Sequence, residues 1–512
     1  MISIKSPFIV LFLLLFFINA DAQVPVLQND FENVNAKMSV TGIAGKALNY
    51  GPTAIERFPL VSNNPLSTAT KGFTVMLWVN TDVNSREQYD IISSLKQNGN
   101  MYNGWKLIVT PSGSWEFRAV KDSQSYTYAP TSARQTIRDG DWHLLAVTFM
   151  EDENSLRFYY DGRLKAIYNT ERISGFYRTD TLVVGAAMDS EHYTGKGRWQ
   201  NFWDTYNGMI DELSLFDVAV EDSKIDSIYR KLKNITNRQS VAAGGDTFKV
   251  SSFNIFHGGH EYGKEVGKKR LIDMLKDEKA DAYLLIETYG SGAEIADALD
   301  GYLYLISSNL SIISRHPFTK TFRHKESFKS GGAQVSLGDG RVVNLFCVWL
   351  DWLPVFSSRD FTSGRTMEQY LNEENARRGK DINAILDQIK PQLQTSAAVP
   401  LILGGDFNSG SHLDHTEATR AMHNGYMIPW PVSISMKQAG FIDSYRYCHP
   451  DPLLQPGITF SPLYQLWLKE RIDFIYYKGN IKAKASKVID SHPVWFPSDH
   501  AMVSSVFSLK NE

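Results

Sequence analysis

Hydrophobic and polar positions are patterned differently in the two halves of the chain. From about Gln28 to Tyr229, short runs of β-branched and aromatic residues alternate with Gly, Asn, Asp and Ser clusters, as in GFTVMLWVN (72–80), GWKLIVTPSGSWEFRAV (104–120), DWHLLAVTFM (141–150) and SLRFYYDG (155–162). Strands at such spacing predict a sandwich or jelly roll. In GFTVMLWVN, Phe73, Val75, Leu77 and Val79 share one face while Met76 and Trp78 fall on the other, so this strand is expected to be covered on both sides. PSGS (111–114) predicts a hairpin turn.

From Thr247 the pattern alternates strands with helices. FKVSSFNIF (248–256) reads as a strand, KKRLIDMLKDEKA (268–280) as an amphipathic helix and DAYLLIETYG (281–290) as a buried strand. Further strands are expected in LSIISRHPF (310–318), VVNLFCVWLDW (342–352), VPLILGGDFN (399–408), RIDFIYYKG (471–479) and the terminal VWFPSDHAMVSSVFSL (494–509), with a long helix around ENARRGKDINAILDQIK (374–390). The small and polar stretch KLKNITNRQSVAAGGD (231–246) lies between the halves and reads as a linker.

A chain of 512 residues is too long for one hydrophobic core. Its first residues, MISIKSPFIVLFLLLFFINADAQ, carry one Lys, an apolar stretch from Phe8 to Ile18 and the triplet Ala20-Asp21-Ala22, the pattern of a cleaved secretory signal. The stretch is shorter than the roughly 20 residues needed to span a bilayer, so the expectation is a secreted or periplasmic protein without a transmembrane segment. The expected organisation is 1–22 signal peptide, 23–230 β module, 231–246 linker and 247–512 second module. With only Cys347 and Cys448, no disulfide framework is expected; both read as small hydrophobes, with a single bridge as the alternative. Net charge is −3 and no Lys/Arg block stands out, so nucleic acid is an allowed but not a favoured partner. The sequons at Asn234 and Asn309 would matter only in a eukaryotic source.

The chemistry lies at strand ends. Apolar strands of the second half finish in Asn254, in Glu287, in Asp406 with Asn408, in Asp473 and in Asp499-His500. A sheet that gathers these acids at one rim creates repulsion that a cation relieves, and hard oxygen ligands select Mg²⁺, Mn²⁺ or Ca²⁺ over zinc.

Two resemblances sharpen the expectation. In the first half, DWHLLAVTF, LRFYYDGRL, LVVGAA (182–187) and GMIDELSLFDVAVEDSKIDSIY (208–229) resemble laminin-G-like, concanavalin-type jelly-roll domains. That resemblance implies an all-β jelly-roll sandwich with glycan, surface or merely packing roles, and it makes Asp211 the candidate for a Ca²⁺ site, since an acid at that place helps hold calcium in some relatives. Trp105, Trp115, Trp199 and Trp203 are candidates for a sugar platform, while Trp78 and Trp142 are expected in the core. In the second half SFNI, LLIET, NLSIISRHP, GGDFN, RIDFIYY and SDHAMV resemble the endonuclease/exonuclease/phosphatase superfamily, shared by DNase I-like nucleases, neutral sphingomyelinases and inositol-polyphosphate phosphatases. The implied fold is an α+β four-layer sandwich of DNase I-like type, and the implied activity metal-dependent phosphoester hydrolysis.

Carried over residue by residue, Asn254, Glu287 and Asp499 are expected at a Mg²⁺ or Mn²⁺ ion. Asp406 would orient or deprotonate the attacking water, Asn408 would hold it or a phosphate oxygen, and His500, steadied by Asp473, would bond the phosphoryl oxygen. The sequence departs from the pattern at Val348-Trp349-Leu350-Asp351, where many relatives carry Thr-His-Leu-Asp. Trp349 offers only an indole N–H there. His257, His412 and Arg359 are candidates to replace the missing histidine; His257, His412 and Asp414 are expected substrate contacts or a second metal site, and His260 and His415 are expected to face solvent. The resulting expectation is an exported phosphodiesterase or phosphatase recruited by its jelly roll to a glycan or surface. The alternatives are an extracellular DNase I-like endonuclease and a non-catalytic binding protein with a decayed site.

Overall fold

A computed structural model describes residues 23–54, 59–98, 101–171, 173–186, 205–236, 245–353, 364–423, 425–463 and 469–509. The expected signal peptide, Trp199, Trp203 and Arg359 lie outside these residues.

The first module is a sandwich of antiparallel sheets. Its central strand, Gly72–Thr81, is flanked by His143–Met150 and Gly208–Phe216 and is buried along its whole length. Phe73, Val75, Leu77 and Val79 face the opposite sheet, where Trp105, Trp115 and Phe117 complete the core. Met76 and Trp78 face outward under the helix Asp222–Leu232, with Trp78 stacked on Tyr229 at 5.6 Å. That helix takes in the first residues of the stretch read as linker. Trp105 and Trp115, candidates for a sugar platform, are fully buried and make no such surface. Large apolar rings are worth more inside a sandwich than on it.

Asp211, the expected calcium candidate, holds a turn. It is buried, and its carboxylate accepts hydrogen bonds from the backbone N–H groups of Ala44 (3.2 Å) and Glu212 (2.8 Å), clamping the turn before strand Lys46–Asn49. Burial pushes its carboxyl up to about 6 against the pull of these N–H groups.

The second module stacks two sheets face to face. One runs Tyr302–Leu305, Leu310–Ser314, Ala282–Ile286, Thr247–Asn254, Met502–Ser508, Lys482–Ile489; the other runs Phe318–Phe322, Ser330–Ser336, Val342–Trp349, Leu401–Asp406, Asp473–Lys478, Ile442–Asp443. Val250, Leu284 and Ile312 meet Leu345, Ile402 and Ile475 between them. Helix Lys264–Glu278 covers one outer face through Leu271 and Leu275, and helices Lys380–Gln388 and Pro431–Gln438 cover the other through Ile382, Ile385 and Met436. These are the four layers of the expected fold. The long helix expected over 374–390 is interrupted by a π-helical turn at Asn375–Gly379, which accompanies a buried Glu374–Arg378 pair. Glu374 also accepts from Ser409 at 2.7 Å, tying the helix to the turn after GGDFN.

The linker reading implies two modules joined by a tether, yet they share a sheet. Strand Arg163–Asn169 pairs in parallel with Tyr302–Leu305 (Ala166 with Leu303, Ile167 with Tyr304, Tyr168 with Leu305), producing one fourteen-stranded sheet through both modules. Ile167 is thereby buried in the core of the second module. Cys347 is buried, Cys448 half-buried, and both are free. Among the described residues no helix is long and apolar enough to cross a membrane.

Replacing Asp211 by Ala removes the buried acceptor of two half-buried N–H groups and should lower stability by about 1–3 kcal/mol in a denaturant titration. The parent should melt at the same temperature in Ca²⁺ and in EGTA, since the carboxylate serves the backbone.

Candidate active site

The strand-end polar residues of both sheets converge at one rim of the second module. Asn254 ends one central strand and donates from Nδ2 to Glu287 Oε1 and to Asp406 Oδ2, both at 3.1 Å, so one amide links residues of facing sheets. Its own Oδ1 accepts from the N–H of Phe256 (3.1 Å). Glu287 follows the neighbouring parallel strand in a left-handed conformation (φ 59°). Its Oε2 accepts from the N–H of His257 (3.0 Å), and its own N–H donates to Asn309 Oδ1 (3.1 Å). Such backbone is strained for a non-glycine residue and persists where surrounding contacts hold it.

On the facing sheet Asp406 and Asp473 lie side by side in register. Asp406 Oδ1 accepts from the N–H of Asn408 (2.9 Å), and Asn408, also left-handed (φ 48°), donates from Nδ2 to Leu350 O (3.0 Å) and Asp406 Oδ2 (3.1 Å). The amide of Asn408 thereby aims Asp406. Asp473 Oδ2 is 2.8 Å from His500 Nδ1, and His500 Nε2 is 3.8 Å from Asp406 Oδ2. Backbone N–H groups of Ile472 and Asp473 bond Thr459 Oγ1, while Ser498 Oγ bonds Asn254 O and accepts from His500 N, fixing both catalytic strand ends.

The electrostatics follow from this crowding. Burial raises the Asp406 carboxyl to about 7; His500 pulls it back and Asp473 pushes it further. Burial opposes a charge on His500, but Asp473 and Asp406 outweigh it and hold the imidazole well above its usual range. Asp499 is raised by burial and then by Glu287, with His500 opposing. Asp499 Oδ1 is buried with no hydrogen-bond partner among the described residues. An orphaned carboxylate oxygen beside Glu287 and Asn254 is a hard-oxygen donor set suited to Mg²⁺ or Mn²⁺, so the residues present fit the expected ion.

Other predicted residues are placed differently. His257 lies at the rim with an exposed side chain stacked on Phe256. Trp349 sits beside Asp406 in register and packs edge-to-face on Phe328 at 5.6 Å. His412 bonds Ser433 through Nδ1 (2.8 Å) and lines a separate cavity of about 580 Å³ with Lys437, Asp443 and Tyr447. Asp414 is buried between Arg446 and Arg471, both ion-paired to it, so it braces the loop and is not a substrate contact. His415, expected at solvent, is buried with Nε2 3.2 Å from Glu470 Oε2 and stacks on His423; His260 is half-buried and reaches Ser291 at 3.3 Å. Sequence reasoning missed Asn309, which it read only as a sequon within NLSIISRHP. The residue is fully buried, donates from Nδ2 to Phe328 O (3.0 Å) and carries the strand end that bears Glu287. Its signal was its place at the start of a quoted motif.

Comparison with known proteins gives the same division. Residues 251–500 match the Endonuclease/Exonuclease/phosphatase family, and residues 59–226 match the Concanavalin A-like lectin/glucanases superfamily. An uncharacterized protein of Caenorhabditis elegans is 26% identical over 253 residues, which are 46% of this chain and 79% of that protein. The crystal structure of truncated Caenorhabditis elegans TDP2 is similar at 17% identity, covering 52% of this chain and 99% of its own, with a TM-score of 0.37. An AP endonuclease from Archaeoglobus fulgidus is similar at 14% identity, covering 51% and 100%, with a TM-score of 0.38.

The raised carboxyl of Asp406 has a signed consequence for stability. A folded pKa above the unfolded value means that the folded state holds the proton more tightly; this contribution is complete below the unfolded pKa and is lost as pH climbs through about 7. In metal-free protein, Asp406→Asn should therefore be more stable than the parent, by about 1–3 kcal/mol near pH 8 and by less near pH 5, and melt correspondingly higher. Thermal melts across that range in EDTA provide the check.

Proposed function

We propose that this protein, a metal-dependent phosphoester hydrolase in which a concanavalin-like module precedes an endonuclease/exonuclease/phosphatase domain, cleaves a phosphodiester by direct attack of water. The observation that carries the reading is the buried His500–Asp473 pair facing Asp406 across 3.8 Å, at the rim that also holds Asn254, Glu287 and Asp499. Asn254, Glu287 and Asp499 would hold a divalent cation, which when bound supplies Lewis acidity and neutralises the phosphate. Asp406, aimed by Asn408 and Asn254, accepts the proton of the attacking water, and a carboxyl that titrates near neutrality suits that task. His500 spends Nδ1 on Asp473 and directs Nε2 into the space before Asp406, where the imidazolium donates to a phosphoryl oxygen as charge accumulates. Trp349 occupies the place of the missing histidine without a basic nitrogen, while His257 stands exposed at the same rim.

The substrate reading rests on the surroundings. Exposed Tyr289 and Trp495 lie within a few residues of Glu287 and Asp499 in sequence, exposed Trp352 follows Trp349, and exposed Phe328 packs on Trp349, and the chain carries no basic block of the kind a polyanion track uses. These features favour a small, glycan-linked or lipid-linked diester over duplex DNA. We further propose that the protein is exported, from the character of residues 1–22, and that the first module brings the enzyme to a glycan or surface, a role supported by the family it matches.

With Mg²⁺, the protein should hydrolyse bis-p-nitrophenyl phosphate faster than p-nitrophenyl phosphate, and EDTA should abolish both. Asp406→Ala and His500→Ala should each lower kcat by about 10²–10⁴-fold with an unchanged circular dichroism spectrum. Parent-like turnover in either variant would sink the mechanism. Preference for the monoester would make the enzyme a phosphatase, and plasmid cleavage faster than diester cleavage would make it a nuclease.

A further inference from the structure

We infer that the first module is a working part of the catalytic domain, and that Asn169 is a positioning residue for Glu287; the inference rests on the proposed role of Glu287 at the cation. The shared sheet brings the end of strand Arg163–Asn169 to the turn between Tyr302–Leu305 and Leu310–Ser314. There Asn169, itself buried, donates from Nδ2 to Ile306 O (3.0 Å). Two residues on, Glu171 accepts from Ser327 Oγ (2.5 Å). These two grips from the first module close on one residue of the second. The turn that starts at Ile306 is tied by hydrogen bonds from Ile306 N and Ser307 N to Leu310 O, and it presents Asn309; Ser327 precedes Phe328, whose carbonyl oxygen receives Asn309 Nδ2.

Asn309 then holds the strand end that carries Glu287. Its side-chain oxygen takes the N–H of Glu287, and its carbonyl oxygen takes the N–H of Thr288 at 3.0 Å. Glu287 needs such support because its left-handed backbone leaves the strand direction at the point where the carboxylate must face Asn254 and Asp499. Groups that orient a metal ligand set its affinity almost as much as the ligand does. A module merely tethered for recruitment would not reach this turn; this one is hydrogen-bonded to the turn at Ile306 and to the neighbouring loop at Ser327, with the interface elsewhere sealed by Gln135 donating to buried Asp297 (2.9 Å).

The test uses full-length protein and two readouts independent of turnover: Mn²⁺ affinity by electron paramagnetic resonance, and hydrogen exchange at the amides of Glu287 and Thr288. Asn169→Ala and Ser327→Ala should weaken Mn²⁺ binding by about three- to tenfold and speed exchange at both amides. Arg134→Ala, which removes the surface contact with Asp300 on the same interface, should stay within about twofold of the parent. Equal Mn²⁺ affinity and exchange in parent and Asn169→Ala would overturn the inference, as would an equal loss in Arg134→Ala. A parent that binds no Mn²⁺ would instead defeat the catalytic reading itself. Should Asn169→Ala fail to fold, Ser327→Ala, whose hydroxyl sits at the edge of the interface, decides the matter.

Discussion

Everything in the second module is arranged around acids that repel one another. Asp406, Asp473, Asp499 and Glu287 meet at one rim, and three of them are buried. Unpaired charge in such surroundings is costly enough that each carboxylate must be answered by a donor, a proton or a cation. The structure shows the first two answers. Backbone N–H groups of His257 and Asn408, the amides of Asn254 and Asn408, and the imidazole of His500 supply donors, while burial pushes the Asp406 carboxyl upward toward neutrality. Two buried carboxylate oxygens, Asp499 Oδ1 and Asp473 Oδ1, have no such answer among the described residues, and a cation at the rim is the third.

Holding this arrangement requires a stiff frame, which explains the architecture. Two sheets packed through Leu284, Leu345, Ile402 and Ile475 fix their strand ends against each other, and left-handed residues at Glu287 and Asn408 turn the chain sharply so that side chains gather at the rim. The ties then extend outward, through Ser498 and Thr459 to the strand ends, through Glu374 and Ser409 to the helical layer, and through Asn309 and Asn169 to the other module. The same crowding that would favour chemistry works against stability, a balance common to sites that strain their surroundings.

Much of this was legible in the sequence because it is written in local patterns. Alternating strands such as GFTVMLWVN reveal both faces of a covered sheet, and carboxylates at the ends of apolar runs reveal a rim. What escaped depends on contacts distant in sequence. Trp105 and Trp115 look like ligand platforms until the opposite sheet covers them, and the hold of Asp211 on the turn at Ala44 joins segments far apart in the chain. Asp414 and His415 stand beside the Asp406 motif, yet their partners Arg446, Arg471 and Glu470 come from segments far along the chain. The fusion of the modules was hidden for the same reason: a parallel pairing between Arg163–Asn169 and Tyr302–Leu305 leaves no local mark, and the small polar stretch between the halves reads as a tether whether or not the modules touch.

A cation with Asn254, Glu287 and Asp499 would leave Asp406, Asp473 and His500 free for proton chemistry. The latter trio also lies close enough to hold an ion by itself, so the two assignments compete. Anomalous diffraction from crystals soaked in Mn²⁺ separates them directly. A single strong peak is expected against the carboxylates of Glu287 and Asp499; a peak centred on Asp406, Asp473 and His500 would overturn this assignment.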